Sequence, residues 1–477
     1  MDNERYNKEI RAQKHAQRVK QVKIRLAAVC LAVLVFIIVI VSLCVSAHNR
    51  RKQAKEQAMV TEALDQSYEK YAAALADGTA AVTTSADSGE KFGAWMVKNF
   101  SKNVQDKLLA KIQDGKLKET DFYQITGNTM HVLSDQYKGY LKDTDTAAEH
   151  NIYLKDGQKK GGVDVTVAGD LCLAEDGFVL DHYDEVNDLS LCISPTLLER
   201  MNDADIFYLN HEYAISDRGA PLDGKLYTFR ANPDRMSLLE EMGTDIVSLA
   251  NNHVYDYGAD ALLDTADLLD KAGIPYVGGG RNKEEADRPI YYIVNGVKIG
   301  FVAASNAETV LYTPDAGEDT PGILSAYDTA AYDQIITDAS KQCDYLIAYI
   351  HWGTEDTNNH ETYQHDQGAE FLNAGADIVV GGHPHVLQGI EYVDGKPIIY
   401  SMGDFWFNDE TKYTGLLKLN ITDKGLAEMS FVPCLQTGYT TQYIEGADEQ
   451  KAFYDFLQQL SPNAVIDDKG VITESES

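Results

Sequence analysis

From residue 161 onward the chain repeats one arrangement: a short apolar run closes on a polar residue and gives way to a helix-forming stretch. The runs are VDVTVAGD (163–170), ADIFYLN (204–210), TDIVSLANNH (244–253), IPYVGGG (274–280), VKIGFVAAS (297–305), CDYLIAYIHWG (343–353), ADIVVGGHPH (376–385) and KPIIYSMGD (396–404). Between them lie helical patterns such as ALLDTADLLDKAG (261–273) and YDQIITDASKQ (332–342). Strands of four to eight residues alternating with helices predict an α/β domain around a parallel or mixed sheet.

The ends of these runs carry the chemistry. Asp170 closes the first, Asn210 and Glu212 the second, and Asn251, Asn252 and His253 the third. His351 follows CDYLIAYI, and His383 and His385 follow ADIVVGG. Taken singly, each has an ordinary structural explanation as a helix cap, a turn residue or a buried histidine. Taken together they imply one site, because open α/β sheets gather ligands at the carboxyl ends of their strands. Carboxylate, amide and imidazole donors suit divalent ions of intermediate hardness, such as Mn, Fe(II) or Zn, one or two in number. Two such ions about 3.5–4 Å apart can bind a water and polarise a phosphoryl or acyl oxygen. The cysteines do not offer a thiolate site: Cys172, Cys192, Cys343 and Cys434 are scattered with no CxxC, and disulfide pairing stays open.

Residues 26–47, LAAVCLAVLVFIIVIVSLCVSA, hold no charge. As a helix of about 33 Å this segment spans a bilayer core. Eight Lys/Arg precede it and four follow closely, so the positive-inside rule puts 1–25 in the cytoplasm and the remainder outside the cell. A cleaved signal peptide ending near VSA is the competing reading, though the apolar run is longer than a usual signal core of about 7–15 residues. The chain has 42 Lys/Arg and 74 Asp/Glu, of which 11 and 3 lie in 1–52, leaving 31 and 71 beyond and a net charge of −40 there. That field repels nucleic acid and anionic membrane, and it gives no long-range attraction to a polyanion. Residues 48–160 read as a helical juxtamembrane region for docking or spacing, 161–435 as the α/β domain, and 436–477 as a helix with a polar tail.

The ordered set VAGD, NHE, ANNHVYDYG, HWGTED, GGHPHVLQG and YSMGDF resembles the CapA capsule-synthesis family, also called the poly-γ-glutamate biosynthesis protein family. The resemblance covers roughly 163–410. It implies a metallophosphatase-like α/β sandwich with metal at the strand ends. It implies metal ligation by Asp170, Glu212 (bridging), Asn252, His351, His383 and His385, and contact or proton donation to substrate by His253. Glu355 is implied as a base or outer ligand, and Asn210, Asn251 and Asp404 as substrate contacts. The pattern departs at Cys172, where metallophosphatases usually carry histidine, and at Asp404, where asparagine is commoner. Three functions fit: a membrane-anchored metal-dependent hydrolase or transferase acting on an anionic capsular or wall polymer; a non-catalytic subunit of a polymer synthesis or export complex; and a metal-dependent phosphoesterase.

Overall fold

The structure is a computed structural model. It describes residues 151–155, 157, 162–175, 178–307 and 312–475, and parts of 55–137, among them 92–100, 102–113 and 117–126. The chain divides into two compact units, Met1–Tyr137 and Lys138–Ser477. The apolar run 26–47 lies outside the described residues; among the described residues no helix is long and apolar enough to cross a membrane.

The first unit contains the helices α1 (Phe92–Asn99), α2 (Lys102–Gln113) and α3 (Glu119–Thr126). Its described core mixes aromatic with aliphatic side chains such as Leu64, Met96 and Leu108. Tyr68 stacks on Phe92 at 4.5 Å, and Tyr137 meets Phe92 and Trp95 at 5.3 and 5.7 Å.

The second unit is a sandwich of two sheets. Its principal strands are β1 (Ile152–Lys155), β2 (Val163–Leu171), β3 (Ile206–His211), β4 (Ile246–Ser248) and β5 (Tyr276–Val277). There follow β6 (Ile290–Val294), β7 (Val297–Ser305), β8 (Tyr345–His351), β9 (Ile378–Gly382) and β10 (Ile390–Val393). The last are β11 (Lys396–Ile399), β12 (Asp404–Trp406), β13 (Lys412–Thr422), β14 (Gly425–Thr437) and β15 (Thr440–Tyr443). One sheet has seven strands in the order β1-β6-β7-β8-β9-β11-β10. The other has eight, β15-β14-β13-β2-β3-β4-β5, with β12 beside β2. The centre of each is parallel: β7, β8, β9 and β11 in the first, β2 to β5 in the second.

Strand period explains the unbroken apolar runs. Along β8, Tyr345, Ile347 and Tyr349 enter the core between the sheets, while Leu346, Ala348 and Ile350 pack under the outer helices α8 (Ala330–Ser340) and α9 (Thr362–Ala374). Both faces are buried, so both must be apolar. The eight-stranded sheet is covered likewise by α4 (Phe178–Val186), α5 (Pro195–Asn202), α6 (Met236–Glu241) and α7 (Ala259–Ala272), through Leu180, Leu197, Leu239 and Leu262.

Two features lie across the boundaries read from sequence. β1, N-terminal to residue 161, pairs in parallel with β6. Beyond residue 435, β15 pairs with β14 and α10 (Ala447–Leu460) buries Phe453 and Leu457 in the inter-sheet core. The four described cysteines are free thiols.

Close approach of backbones positions the site. Asp170 donates its amide to Gly403 O at 2.9 Å, and a Cβ on Gly169 would stand 1.9 Å from that oxygen. Gly169→Ala is therefore expected to destabilise the domain by about 1–3 kcal/mol, read as a lowered denaturant midpoint; an unchanged midpoint would show that β2 and β12 are not locked together.

Candidate metal centre

Parallel strands of both sheets end on one side, and the polar residues at those ends meet. Asp170, Asn210, Glu212, Asn251, Asn252, His351 and Asp404 are fully buried, His253 and His383 nearly so. Three triads offer ligand atoms within 4.8 Å of one another: Glu212, His351 and His383; Asp170, Glu212 and His385; Glu355, His383 and His385. Each triad shares one residue with each of the others.

Asn210 organises the buried part. Its Nδ2 donates to Asp170 Oδ1 at 2.8 Å and Glu212 Oε2 at 3.0 Å, and lies 3.3 Å from His351 Nδ1. Asn251 braces it, donating to Asn210 Oδ1 at 3.1 Å and His211 O at 2.8 Å while accepting the amides of His253 and Val254. Both amides are thus engaged within the protein. Asp404 Oδ1 lies 2.7 Å from His385 Nδ1, which leaves the other imidazole nitrogen to face the cluster.

Asn252 Oδ1 sits 2.9 Å from His351 Nε2, and Glu212 Oε1 lies 3.5 Å from the same nitrogen. Glu212 Oε1 and His383 Nδ1 are buried without a hydrogen-bond partner. Orphaned polar atoms of this kind are costly unless something binds them. Burial, with the charge of Glu212, pushes Asp170 up to about 6. Burial raises Glu212 to about 8, against the pull of His385. Burial holds His383 well below the usual imidazole range, with His351 adding to the effect. Burial also opposes protonation of His385, but Asp404 and Glu212 outweigh it and raise that imidazole to about 10. Buried carboxylates held away from their charged form beside the unprotonated His383 imidazole are donors a divalent cation stabilises.

The backbone bends to present the histidines. His383 has φ 96° and His385 φ 57°, left-handed values that cost a non-glycine residue about 1–3 kcal/mol each. Asp170 Oδ2 accepts the His383 amide at 3.0 Å and helps hold that turn. Gly382 is required before it, since a Cβ there would stand 2.1 Å from the Tyr349 hydroxyl and 2.6 Å from Asp170 Oδ1.

Other groups in the site gave little sign in the sequence. His253 Nδ1 lies 2.7 Å from Asp256 Oδ2, whose partner oxygen is 2.7 Å from the buried Lys225 ammonium. Lys225 also donates to Asn252 O. Burial raises Asp256 to about 7 against the pull of Lys225. The rings of Phe229 and Phe407 lie 4.3 Å from His253 and 4.6 Å from His385, walling the cluster with apolar surface. The spacing of Asp256 from His253 in NNHVYD was a readable hint; Lys225 lies in a loop without pattern. Glu355 is exposed, at the rim. Cys172 is buried in the apolar core with Trp406 and Tyr213 and belongs to none of the triads.

The bacterial capsule synthesis protein PGA_cap family matches residues 165–409, more than half of the 477. This chain belongs to that family. The PGA_cap segment contains every residue of the three triads and their braces. Relatives include the capsule biosynthesis protein CapA of Bacillus anthracis, 31% identical over 263 residues, covering 53% of this chain and 61% of that protein. The PGA biosynthesis protein CapA of Bacillus subtilis (strain 168) is 32% identical over 208 residues, covering 43% and 54%. A probable polyglutamine synthesis accessory protein of Mycobacterium tuberculosis is 31% identical over 214 residues, covering 42% and 55%. The PGA_cap chain thus spans little more than half the length of these relatives. Partial likeness extends to a 5′-nucleotidase from Candida albicans SC5314, with TM-score 0.32 and 12% identity over 59% of this chain and 54% of that one. A protein of Thermus thermophilus, TT1561, gives 0.30 and 8% over 55% and 99%. Such scores carry no functional weight.

Lys225 offers a direct test of the buried pair. Lys225→Met leaves Asp256 without its buried counter-charge and is expected to cost about 3–5 kcal/mol, measured by urea unfolding; a loss under about 1 kcal/mol would mean that Asp256 sits in a wetter setting than its contacts show.

Proposed function

We propose that this PGA_cap protein is a metal-dependent hydrolase or transferase working on an anionic capsular or cell-wall polymer of the poly-γ-glutamate type. The observation that carries the reading is the buried convergence of Glu212, Asn252, His351 and His383 beside His253. The names of the Bacillus relatives support the polymer class. The uncharged segment 26–47 and its basic flank support a single membrane anchor with the second unit outside the cell.

A Mn, Fe or Zn ion held by these donors would supply Lewis acidity and lower the pKa of water at the site. The chain supplies the rest. Asp256 holds His253 by Nδ1, leaving Nε2 to give a proton to a leaving group or take one from water. Lys225 balances the Asp256 charge, and Asp404 fixes the His385 ring. Phe229 and Phe407 exclude water from two sides, which strengthens every charge interaction within. The net charge of −40 beyond residue 52 sets a barrier to a bulk polyanion. A cation held in the cluster would lower that barrier locally.

A second reading is a non-catalytic subunit of a polymer synthesis or export complex. It draws on the separate helical unit and on the accessory role in the name of the mycobacterial relative.

Purified full-length protein, supplied with Mn and offered poly-γ-glutamate, wall polymer and phosphate esters, separates these readings. Turnover that EDTA abolishes, and that Asn252→Ala and His253→Ala each lower by about 10²–10⁴-fold, is the expected result. Absence of turnover on all three classes, or activity indifferent to both substitutions, would favour the accessory role.

A further inference from the structure

Strand β8 ends on the metal cluster and begins on a hydroxyl that the fold leaves unused. His351 is its last residue and Tyr345 its first, about 20 Å apart along the strand. Tyr345 is 3% exposed, its ring packs between the sheets, and its hydroxyl is buried without a hydrogen-bond partner. An unpaired hydroxyl in that setting is costly, and phenylalanine would fill the same space without the cost.

Tyr345 lines a cleft of about 770 Å³ at the amino ends of β8 and β11. Asp377 and Tyr392 line it too, and they are the groups whose charge acts on the Tyr345 phenol, which burial pushes well above its ordinary range. The hydroxyl therefore faces the cleft. The Asp377 carboxylate is fixed: Oδ2 accepts the Leu346 amide at 2.9 Å. The β13–β14 turn and the 471–474 segment make the mouth, where Asp423, Glu428 and Glu474 are exposed.

Five carboxylates and two lysines line the cleft, which leaves it net negative. Lys396 is turned to the wall, its Nζ donating to Ala376 O at 2.6 Å and lying 3.5 Å from Asp377 Oδ1. The volume is far more than an ion needs, and among the described residues the groups able to hold a metal lie at the other end of the strands. Carboxylates at two depths, with tyrosine rings and Leu426 in the wall, match ammonium groups joined by an aliphatic stem.

We infer that this cleft binds a linear aliphatic polyamine, one ammonium set against Asp377 and the Tyr345 hydroxyl and a second against the carboxylates of the mouth. The site is separate from the metal cluster and does not rest on the metal-dependent reading. A ligand with a single ammonium leaves one set of carboxylates unmatched.

Calorimetric titration of the full-length protein with spermidine, in the presence of EDTA, tests this. One molecule is expected per chain, with propylamine bound at least about 10-fold more weakly. Asp377→Asn keeps an acceptor for the Leu346 amide and is expected to weaken spermidine by about 10-fold. Tyr345→Phe keeps every charge and is expected to weaken it by about 5-fold, while the urea midpoint stays equal or rises. A purely structural hydroxyl would not give that pair of results. Diffuse counter-ion binding to a chain of net charge −32 would show no fixed stoichiometry and ignore both substitutions. That outcome, an absence of saturable binding, or binding indifferent to Tyr345→Phe would overturn the inference.

Discussion

The site depends on one neutral amide among charges. Asp170 and Glu212 are buried carboxylates at the ends of neighbouring strands, and placing them side by side is costly in a medium that screens poorly. Asn210 stands between them and donates to both without bringing a charge of its own. Its carbonyl oxygen is fixed by Asn251, and the same amide nitrogen approaches His351 from the opposite sheet. An aspartate here would add a third buried charge; an alanine would leave two acceptors bare. The register of β2, β3 and β8 at their carboxyl ends is thereby tied to a single side chain.

Around that amide the donors divide by how they are held. Glu212 and Asn252 sit on backbone that leaves the strands in ordinary conformations. His383 and His385 sit on backbone bent into the left-handed region, with Gly382 before them and Pro384 between. The bend lets two residues of one short loop face different parts of the cluster, which a straight strand cannot do because its side chains alternate across the sheet. The hydrogen bond from the His383 amide to Asp170 joins this loop to β2 across the space between the sheets.

Much of this was legible in the sequence, for a physical reason. Strands buried on both faces read as unbroken apolar runs, so each chemical residue stands out at a run's end. Asp170, His351 and His383 stand at or just past such run ends, and the run VKIGFVAAS matches β7 residue for residue. The hairpin of β13 and β14 was not found. KYTGLLKLNIT mixes small, polar and apolar residues because one end borders solvent and the other packs on β2. Lys225 and Asp256 were missed because their pairing joins two separate loops and becomes visible only when Phe229 and Asn252 are brought beside them. Asp404 was read by its resemblance to a position that usually carries asparagine, and its bond to the His385 ring could not be inferred without the parallel pairing of β12 with β2.

The left-handed histidines have a consequence for how such a chain can change over time. Glycine at 383 or 385 would relieve backbone strain, because it adopts positive φ without a Cβ penalty. Stability alone would therefore favour losing both imidazoles. A lineage that no longer needs the two imidazoles should drift toward glycine at these positions. The GGHPH segment is in that sense a gauge of what selection has been acting on, read from two torsion angles.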